Sequence, residues 1–458
     1  MTRSWIVGGA LRDELLGRDI TDIDIAVVGD PAEAARQVAA EVRGPVFRLS
    51  EAFGAWRVID REGGRIYDFA PLQGESIEED LRKRDFTVNA MARPLDRDAR
   101  PLDREAGDPA ALIDPLGGRA DIESRTLRVI GPEAYERDPL RPLRLARFAA
   151  ERGFAPDPET ERLTAAAADR VPEASGERVF AELRRLVLAP QAVRGLALAD
   201  RLGLLTAVLP ELSDLHDVDQ SHFHHKDVYG HTLEVLERLI ELEAEATGDL
   251  REVLDEPLAD ELTRGEALRF GALLHDIGKP ATYSVREDGR VTFVGHDRLG
   301  QDMVRDICRR LRTSDRLSRF LEGLTRHHLV LGFLVRRRPL DRREVYRYLR
   351  RTSPVEVEVT LLSCADRLAT RGKNAERAID AHLELARELM PAALDWRSSG
   401  PPRLPLRGDE LAREAGIEPG PELGRILEEL QEAAYAGEVA SRDEAVALAR
   451  QLRQNHVQ

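Results

Sequence analysis

The sequence predicts a multidomain α+β protein, with a small mixed sheet in an N-terminal head and an all-helical remainder. Short apolar, β-branched runs bounded by glycines or acidic turns occur only within about the first 120 of the 458 residues. From Asp121 onward the apolar residues recur at helical spacing, and aromatics make up only 5% of a chain rich in Val, Leu, Arg, Ala and Glu. A chain of this length is expected to hold several domains, each with its own buried core. Changes of pattern place them at 1–120 (head), 121–215 (helical neck), 216–390 (a second helical domain), 391–407 (a Pro/Gly-rich linker) and 408–458 (a helical tail).

Composition narrows the class. With 42% apolar and 33% charged residues the chain reads as soluble and globular. Its two cysteines, Cys308 and Cys364, form no disulfide framework or zinc spacing. The start of the chain lacks the basic and long apolar regions of a secretory signal, and no apolar run is long enough to span a bilayer, so a cytoplasmic location is expected. A net charge of −15 argues against a nucleic-acid partner, but arginine is dense at 137–152 and 305–351 while acid collects at 241–261. The basic stretches either form a local nucleic-acid face or pair with neighbouring acids on solvated helices.

The head is organised around residues 6–28, IVGGALRDELLGRDITDIDIAVV. A strand at 4–7 runs into Gly8-Gly9 and then into a helix. Adjacent glycines let backbone approach a ligand closely, and amides at a helix start suit phosphate, to which Arg12 can add donors. In the next strand, 22–28, Asp22 and Asp24 share one face. Paired carboxylates repel unless a cation sits between them, and oxygen-only ligation suits Mg²⁺. GGALRD followed by DIDIAV resembles the head of the bacterial tRNA nucleotidyltransferase and poly(A) polymerase family, of the class II CCA-adding type with an HD domain. Members add nucleotides to RNA 3′ ends without a template, so the resemblance implies a nucleotidyltransferase head.

Strands follow at 46–49, 56–60 and 65–70, and Asp68 falls near the end of the last. The resemblance implies that Asp68 completes a carboxylate triad from a strand beside Asp22 and Asp24. Ser76 with Glu79 reads as a capping box opening a helix. Arg84-Asp85-Phe86-Thr87-Val88-Asn89-Ala90 matches the family motif RRDFTxNA, with Lys83 in its first position. By that resemblance Arg84 meets phosphate, and Asp85 and Asn89 meet the sugar. IDPLGG at 113–118 closes the head.

The second chemical stretch is 132–153, PEAYERDPLRPLRLARFAAERG. Asp138 reads as the cap of a helix with Pro139 in its first turn, and Arg141, Arg144 and Arg147 continue its face. A carboxylate beside a guanidinium offers acceptor and donors to the Watson–Crick edge of cytosine or adenine. DPLRPLRLARF resembles the family's nucleotide-selecting motif, which assigns that role to Asp138, Arg141, Arg144 and Arg147.

A third constellation starts at HFHHKDVYGHTLEVL. The order of His231, then His275-Asp276 in LLHDIGKP, then Asp366 in CADRLA is similar to the signature of the HD phosphohydrolase superfamily. His296 and His328 match positions that hold a second metal in some members. Imidazole with carboxylate suits a divalent transition metal able to activate water on a phosphoester. Residues 408–452 look like the family's C-terminal unit, which contacts the tRNA elbow.

The expected reaction is attack of a tRNA 3′-hydroxyl on the α-phosphate of CTP, with Asp22 and Asp24 holding Mg²⁺, Asp68 completing the site, and Gly8, Gly9, Arg12 and Arg84 on phosphates. One departure bears on the product. Full CCA-adding members carry a long mobile loop before the EEDL helix, where this chain has only Pro71-Leu72-Gln73-Gly74-Glu75. Addition of CC is therefore expected, with the terminal A, and ATP as second substrate, left open. The alternatives are a poly(A) polymerase or A-adding enzyme on the same fold, an HD phosphohydrolase as the main activity, and a non-catalytic RNA-binding protein.

Overall fold

The computed structural model describes residues 3–51, 54–95, 112–220, 226–370 and 375–455; the His-rich run at 222–225 lies outside the described residues. The chain divides into two compact units, Met1–Val208 and Leu209–Gln458.

In the first unit the five expected strands form, Ser4–Val7 (β1), Asp22–Val27 (β2), Val46–Ser50 (β3), Ala55–Asp60 (β4) and Arg65–Pro71 (β5), and a short sixth that was not expected, Ala92–Pro94 (β6), joins them. They make one six-stranded sheet in the order β3-β4-β5-β2-β1-β6. Only β2 and β5 run parallel, in a register that sets Asp24 opposite Asp68. Parallel neighbours need a crossover, and helix Pro31–Val42 followed by the β3–β4 hairpin provides it. That helix follows Gly9–Leu15 (α1) and is α2. Asp30 caps it by accepting from the Ala32 amide at 2.9 Å, and Ala32, Ala35, Val38 and Ala39 bury its inner face. Ile77–Leu81 (α3) starts on Ser76, whose hydroxyl accepts from the Glu79 amide, but the box expected there is only half formed. Glu79 turns its carboxylate to the Glu75 amide instead, at 2.9 Å.

The remaining helices of this unit are Gly118–Glu123 (α4), Glu133–Arg137 (α5), Arg141–Arg152 (α6), Pro158–Ala166 (α7), Gly176–Val187 (α8), Ala192–Arg201 (α9) and Leu204–Val208 (α10). The stretch expected to be wholly helical also carries a short parallel ladder, Thr126–Leu127 (β7) with Ala155–Pro156 (β8). Asp138 is not the cap expected of it: α6 begins at Arg141 with Leu140 in the cap position. Asp138 instead sits extended between α5 and α6, with its side chain accepting from the Leu140 amide at 3.1 Å.

The second unit is a helical bundle: Pro210–Ser213 (α11), Val228–Glu245 (α12), Gly248–Asp255 (α13), Arg264–Leu274 (α14), Lys279–Thr282 (α15), His296–Leu311 (α16), Asp315–His327 (α17), Val330–Leu334 (α18), Arg342–Thr352 (α19), Glu356–Leu368 (α20), Ala375–Ser399 (α21), Gly408–Ala415 (α22), Pro421–Ala436 (α23) and Arg442–Asn455 (α24). Two small antiparallel ladders interrupt it, Pro257–Ala259 (β9) with Leu262–Thr263 (β10) and Ser284–Val285 (β11) with Val291–Thr292 (β12). The linker expected from residue 391 starts later, because α21 carries Pro391 inside it and runs on to Ser399. A proline in a helix interior costs about 3 kcal/mol. Leu385, Leu389, Ala393 and Trp396 are buried in one apolar cluster around it, and burial of each larger side chain at roughly 1.5–3 kcal/mol outweighs that cost. Within the arginine-dense 305–351 stretch many side chains are paired: Arg305 with Glu322, Arg309 with Asp306, Arg310 with Glu211, and Arg343 and Arg347 with Glu432. No helix among the described residues is long and apolar enough to cross a membrane.

Helices α6 and α9 meet at Gly195, where an added Cβ would lie 2.5 Å from Ala150 Cβ and 2.6 Å from Leu186 Cδ1. Gly195→Ala is expected to destabilise the first unit by about 1–3 kcal/mol through this overpacking, read as a lower midpoint in urea denaturation. An unchanged midpoint would mean that the two helices separate freely there.

Candidate active sites

The first site is a cavity of about 600 Å³ in the first unit, walled by the Gly8-Gly9 turn, Asp22 and Asp24, Lys83, Arg84, Asp85 and Asn89, and Arg141, Arg144 and Arg147. Strand pleating sends Asp22 and Asp24 to the same face, and the parallel register sets Asp68 of β5 beside Asp24, although Asp68 is not part of the cavity wall. Both oxygens of Asp68 accept from Arg57 of β4, at 2.7 Å each. Asp24 is open to the cavity yet ringed by protein. This desolvation raises its pKa; the Arg84 guanidinium opposes the rise, and the Asp68 and Asp22 carboxylates add to it. A carboxylate so placed among two others is short of a cation, and the all-oxygen donor set fits a hard divalent ion.

Gly8 is indispensable at its position. Its φ is +77°, and a Cβ would lie 2.9 Å from Arg84 Nη1 and 3.5 Å from Asp24 Oδ2. Its amide donates to Met91 O at 3.3 Å, so that N–H is already engaged within the head. α1 has only seven residues, which limits any help from its dipole. Arg12 is more committed than the motif suggests. It donates to Asp13 through Nε and Nη2 at 3.2 and 2.8 Å, and through Nη1 to Asn89 Oδ1. Arg84 is anchored to Asp80 through Nε and Nη2.

Asp85 accepts from the Phe86 amide at 2.8 Å, from Asn89 Nδ2 at 3.0 Å and from Arg144 Nη1 at 3.4 Å. Burial alone would push this carboxyl up, but Arg144, Asn89 and the Phe86 amide outweigh it and hold the pKa below the usual range. The selector residues expected to form one Asp–Arg pair do not pair with each other. Arg141 donates from Nη1 and Nη2 to the carbonyls of Arg84, Ala134 and Lys83. Asp138 lies outside the cavity lining and is held by Arg178 at 2.9 Å. Arg144 and Arg147 do line the cavity, and each donates its Nε to a different oxygen of Glu182. Glu182, Arg178 and Arg57 were not singled out by sequence reasoning. The i, i+4 spacing of Arg178 and Glu182 in GERVFAELRRL was the available signal.

The second site lies in the second unit and gathers all six residues expected there. His231 (α12) approaches Asp366 (α20) at 2.9 Å and Asp276 at 3.9 Å. His275, His296 (α16) and His328 approach Asp276 at 3.1, 3.4 and 3.6 Å. The rings of His275, His296 and His328 pair through Nδ1 with the carbonyls of Ala272, Phe293 and Thr325, at 2.7–2.8 Å. Donation there fixes the tautomer and turns each Nε2 lone pair inward. His296 and His328 thus oppose Nε2 to Nε2 at 3.2 Å, a contact that a shared proton or a metal ion would relieve. Two overlapping groups have metal-ligand geometry: His231, His275 and Asp276, and Asp276, His296 and His328. Burial pushes Asp276 up, but His275 and Lys279, whose Nζ is 2.6 Å away, hold it well below the usual carboxylate range. Burial lowers the pKa of His328 and so favours the neutral ring that a ligand must present.

A sheet that aims carboxylates into a basic cavity defines a nucleotidyltransferase head, and the second unit has the ligand set of an HD domain. Family models agree: a poly(A) polymerase head domain matches residues 4–128, a probable RNA- and SrmB-binding site of polymerase A matches 153–215, and an HD domain matches 228–371. The chain is 37% identical to the A-adding tRNA nucleotidyltransferase of Deinococcus radiodurans over 96% of its own length and 93% of that protein's. It is 35% identical to the CC-adding tRNA nucleotidyltransferase of Thermus thermophilus, over 96% and 91%. The fold is also that of a CCA-adding enzyme solved with ATP, with a TM-score of 0.64, 20% identity, and coverage of 100% of this chain and 92% of that one. The chain therefore belongs to the tRNA nucleotidyltransferase family.

Because desolvation and its neighbours raise the Asp24 pKa, its contribution to stability is full below the ordinary value and is lost as pH rises through the raised one. At neutral pH the ionised group is thus a local strain. Asp24→Asn is expected to raise the melting temperature of the chelator-treated protein at pH 7. Magnesium should raise the wild-type melting temperature more than that of the variant. Equal magnesium responses in differential scanning fluorimetry would detach Asp24 from cation binding.

Proposed function

We propose that this enzyme extends tRNA 3′ ends with cytidylate, producing CC, from CTP bound in the cavity of the first unit. The observation that carries the nucleotidyl-transfer reading is the register of Asp24 against Asp68, with Asp22 on the same face as Asp24. Asp22, Asp24 and Asp68 would hold magnesium, which when bound supplies charge that favours the ionised 3′-hydroxyl and neutralises the triphosphate. The 3′-oxygen forms a bond to the α-phosphorus, the bond to the bridging oxygen of the β-phosphate breaks, and pyrophosphate leaves. Arg84 meets the triphosphate beside Gly8, and the Gly9 amide faces the same group. Asn89, held by Asp85 and Arg12, is placed to meet the ribose. Arg144 and Arg147 present donors to the base. A tRNA substrate and two buried free thiols fit a cytoplasmic enzyme.

The restriction to cytidine rests on the connection between β5 and α3. It is pinned at both ends: Leu72 N to Val27 O at 2.9 Å, Gln73 N to Asp80 at 2.9 Å and Lys83 Nζ to Gln73 O at 2.7 Å at the first, and Glu75 N to Glu79 at 2.9 Å at the second. A connection so short and so bonded cannot reach over the cavity to reset its wall for adenine. A-addition is the second reading, favoured by the 37% identity to an A-adding relative. Incubating tRNA that lacks its last three nucleotides with CTP alone, ATP alone and both separates the readings. Products ending in CC, with CC-ended tRNA a poor acceptor of ATP, are expected. Selective extension of CC-ended tRNA by ATP would establish A-addition instead. Asp22→Ala or Asp24→Ala should lower incorporation by well over tenfold, since metal-held charge is worth several kcal/mol.

The six-residue cluster of the second unit supports a second, separable activity, hydrolysis of small phosphoesters with a divalent transition metal. His275→Ala is expected to lose bound metal by elemental analysis and any phosphatase or 2′,3′-cyclic phosphodiesterase activity, while CTP incorporation persists. Loss of incorporation in a folded His275→Ala protein would contradict the separation.

A further inference from the structure

We infer that Arg57 is a positioning residue that competes with magnesium for the third carboxylate and so sets how much magnesium the head requires; this rests on the reading of Asp22, Asp24 and Asp68 as the magnesium site. The register of three neighbouring strands creates the competition. Arg57 of β4 lies opposite Asp68 of β5 in an antiparallel pair, and Asp68 lies opposite Asp24 of β2 in the parallel one. Residues directly opposite one another share a face of the sheet. Arg57, Asp68 and Asp24 therefore form one row across three strands, with charges plus, minus, minus. Asp22 stands on the same face of β2.

Within that row Arg57 has first hold on Asp68. Its Nε donates to Oδ1 and its Nη2 to Oδ2, both at 2.7 Å, and Asp68 makes no other hydrogen bond among the described residues. Two parallel bonds are the strong geometry for a guanidinium and a carboxylate. The side chains are only 31% and 25% exposed, so water screens the pair incompletely. Asp22 and Asp24 line the cavity, whereas Asp68 stays outside its wall. The charge of Arg57 also reaches Asp22 and Asp24. Arg57 thus supplies part of the counter-charge that the acids need. It cannot replace an ion, because a planar fork engages one carboxylate whereas magnesium draws ligands from all sides. Magnesium gains Asp68 only by loosening this fork, and it does so against a unit positive charge one strand away. An arginine that merely oriented Asp68 for the ion would act in the opposite sense, since its loss would weaken binding. The sign of the effect therefore separates the two roles.

The test is a magnesium titration of the full chain by isothermal titration calorimetry, with thermal melting as a second readout. Asp24→Asn gives the background, because any magnesium response it retains comes from outside the head. Arg57→Gln should lower the half-saturating magnesium concentration of the head by about fivefold or more, since a unit positive charge leaves the site. Arg57→Lys keeps the charge but loses the fork, so its half-saturating concentration should fall between those of Arg57→Gln and wild type. It also keeps the question open to refutation if Arg57→Gln does not fold. Arg48→Gln, which removes an exposed arginine of β3 paired with Glu51, should bind magnesium as wild type does. An equal or higher half-saturating concentration in folded Arg57→Gln, or in Arg57→Lys where the first variant does not fold, overturns the inference alone. A wild-type magnesium response no greater than that of Asp24→Asn overturns the reading of the three acids as a magnesium site, and the inference with it.

Discussion

The head depends on one unfavourable contact, the juxtaposition of Asp24 and Asp68 on parallel strands. Parallel pairing is the sole exception in an otherwise antiparallel sheet, and it requires a crossover helix to return the chain. Its result is a row of like charges that folding alone would avoid. Arg57 on one side and Arg84 on the other offset part of the repulsion. Gly8 is left without a side chain so that Arg84 can come close enough to do so. The turn, the crossover and the flanking arginines thus all follow from holding acids together until a cation and a triphosphate arrive.

The same economy of charge runs through both units. Few arginines near the first cavity are free point charges; most are forks already engaged on one edge. Arg12, Arg84, Arg141, Arg144 and Arg147 each spend part of the guanidinium on a carboxylate, an amide oxygen or a main-chain carbonyl. What remains is directional, which suits recognition of a planar base or a tetrahedral phosphate better than a loose positive cloud does. In the second unit His275, His296 and His328 are arranged likewise: Nδ1 is fixed on backbone and Nε2 is aimed at a common point.

Much of this was legible in the sequence, and the reasons are local. The D-x-D strand, the Gly-Gly turn and the HD order are short-range patterns whose chemistry needs those residues at those spacings, and each side chain was found where its pattern put it. The ladder partner of Asp24 was legible only through resemblance, because strand order in a sheet is a long-range property. The partners of the selector motif were not legible: Asp138 is held by Arg178 of α8 and Arg141 by the carbonyls of Lys83 and Arg84, all distant in sequence. The paired arginines of 305–351 show the same limit, since Glu211 and Glu432 lie about a hundred residues from Arg310 and Arg343. The proline at 391 suggested a linker because propensity is local, whereas the packing that overrides it comes from helices distant in the chain.

That override makes the last helices an integral part of the second unit. Trp396, near the end of α21, stacks edge-on with Tyr346 of α19 and Tyr435 of α23, ring centres 5.6 and 6.2 Å away. Arg343 and Arg347 clamp the same α23 through Glu432. A stop codon or protease cut placed at the apparent Pro/Gly boundary would not release a tidy appendage. It would sever a helix in mid-span, strip the cover from an aromatic cluster and leave Arg343 and Arg347 without their counterpart Glu432. Natural rearrangements that exchange the tail among relatives would therefore have to cross after Ser399, in the short irregular stretch before Gly408, where the least is broken.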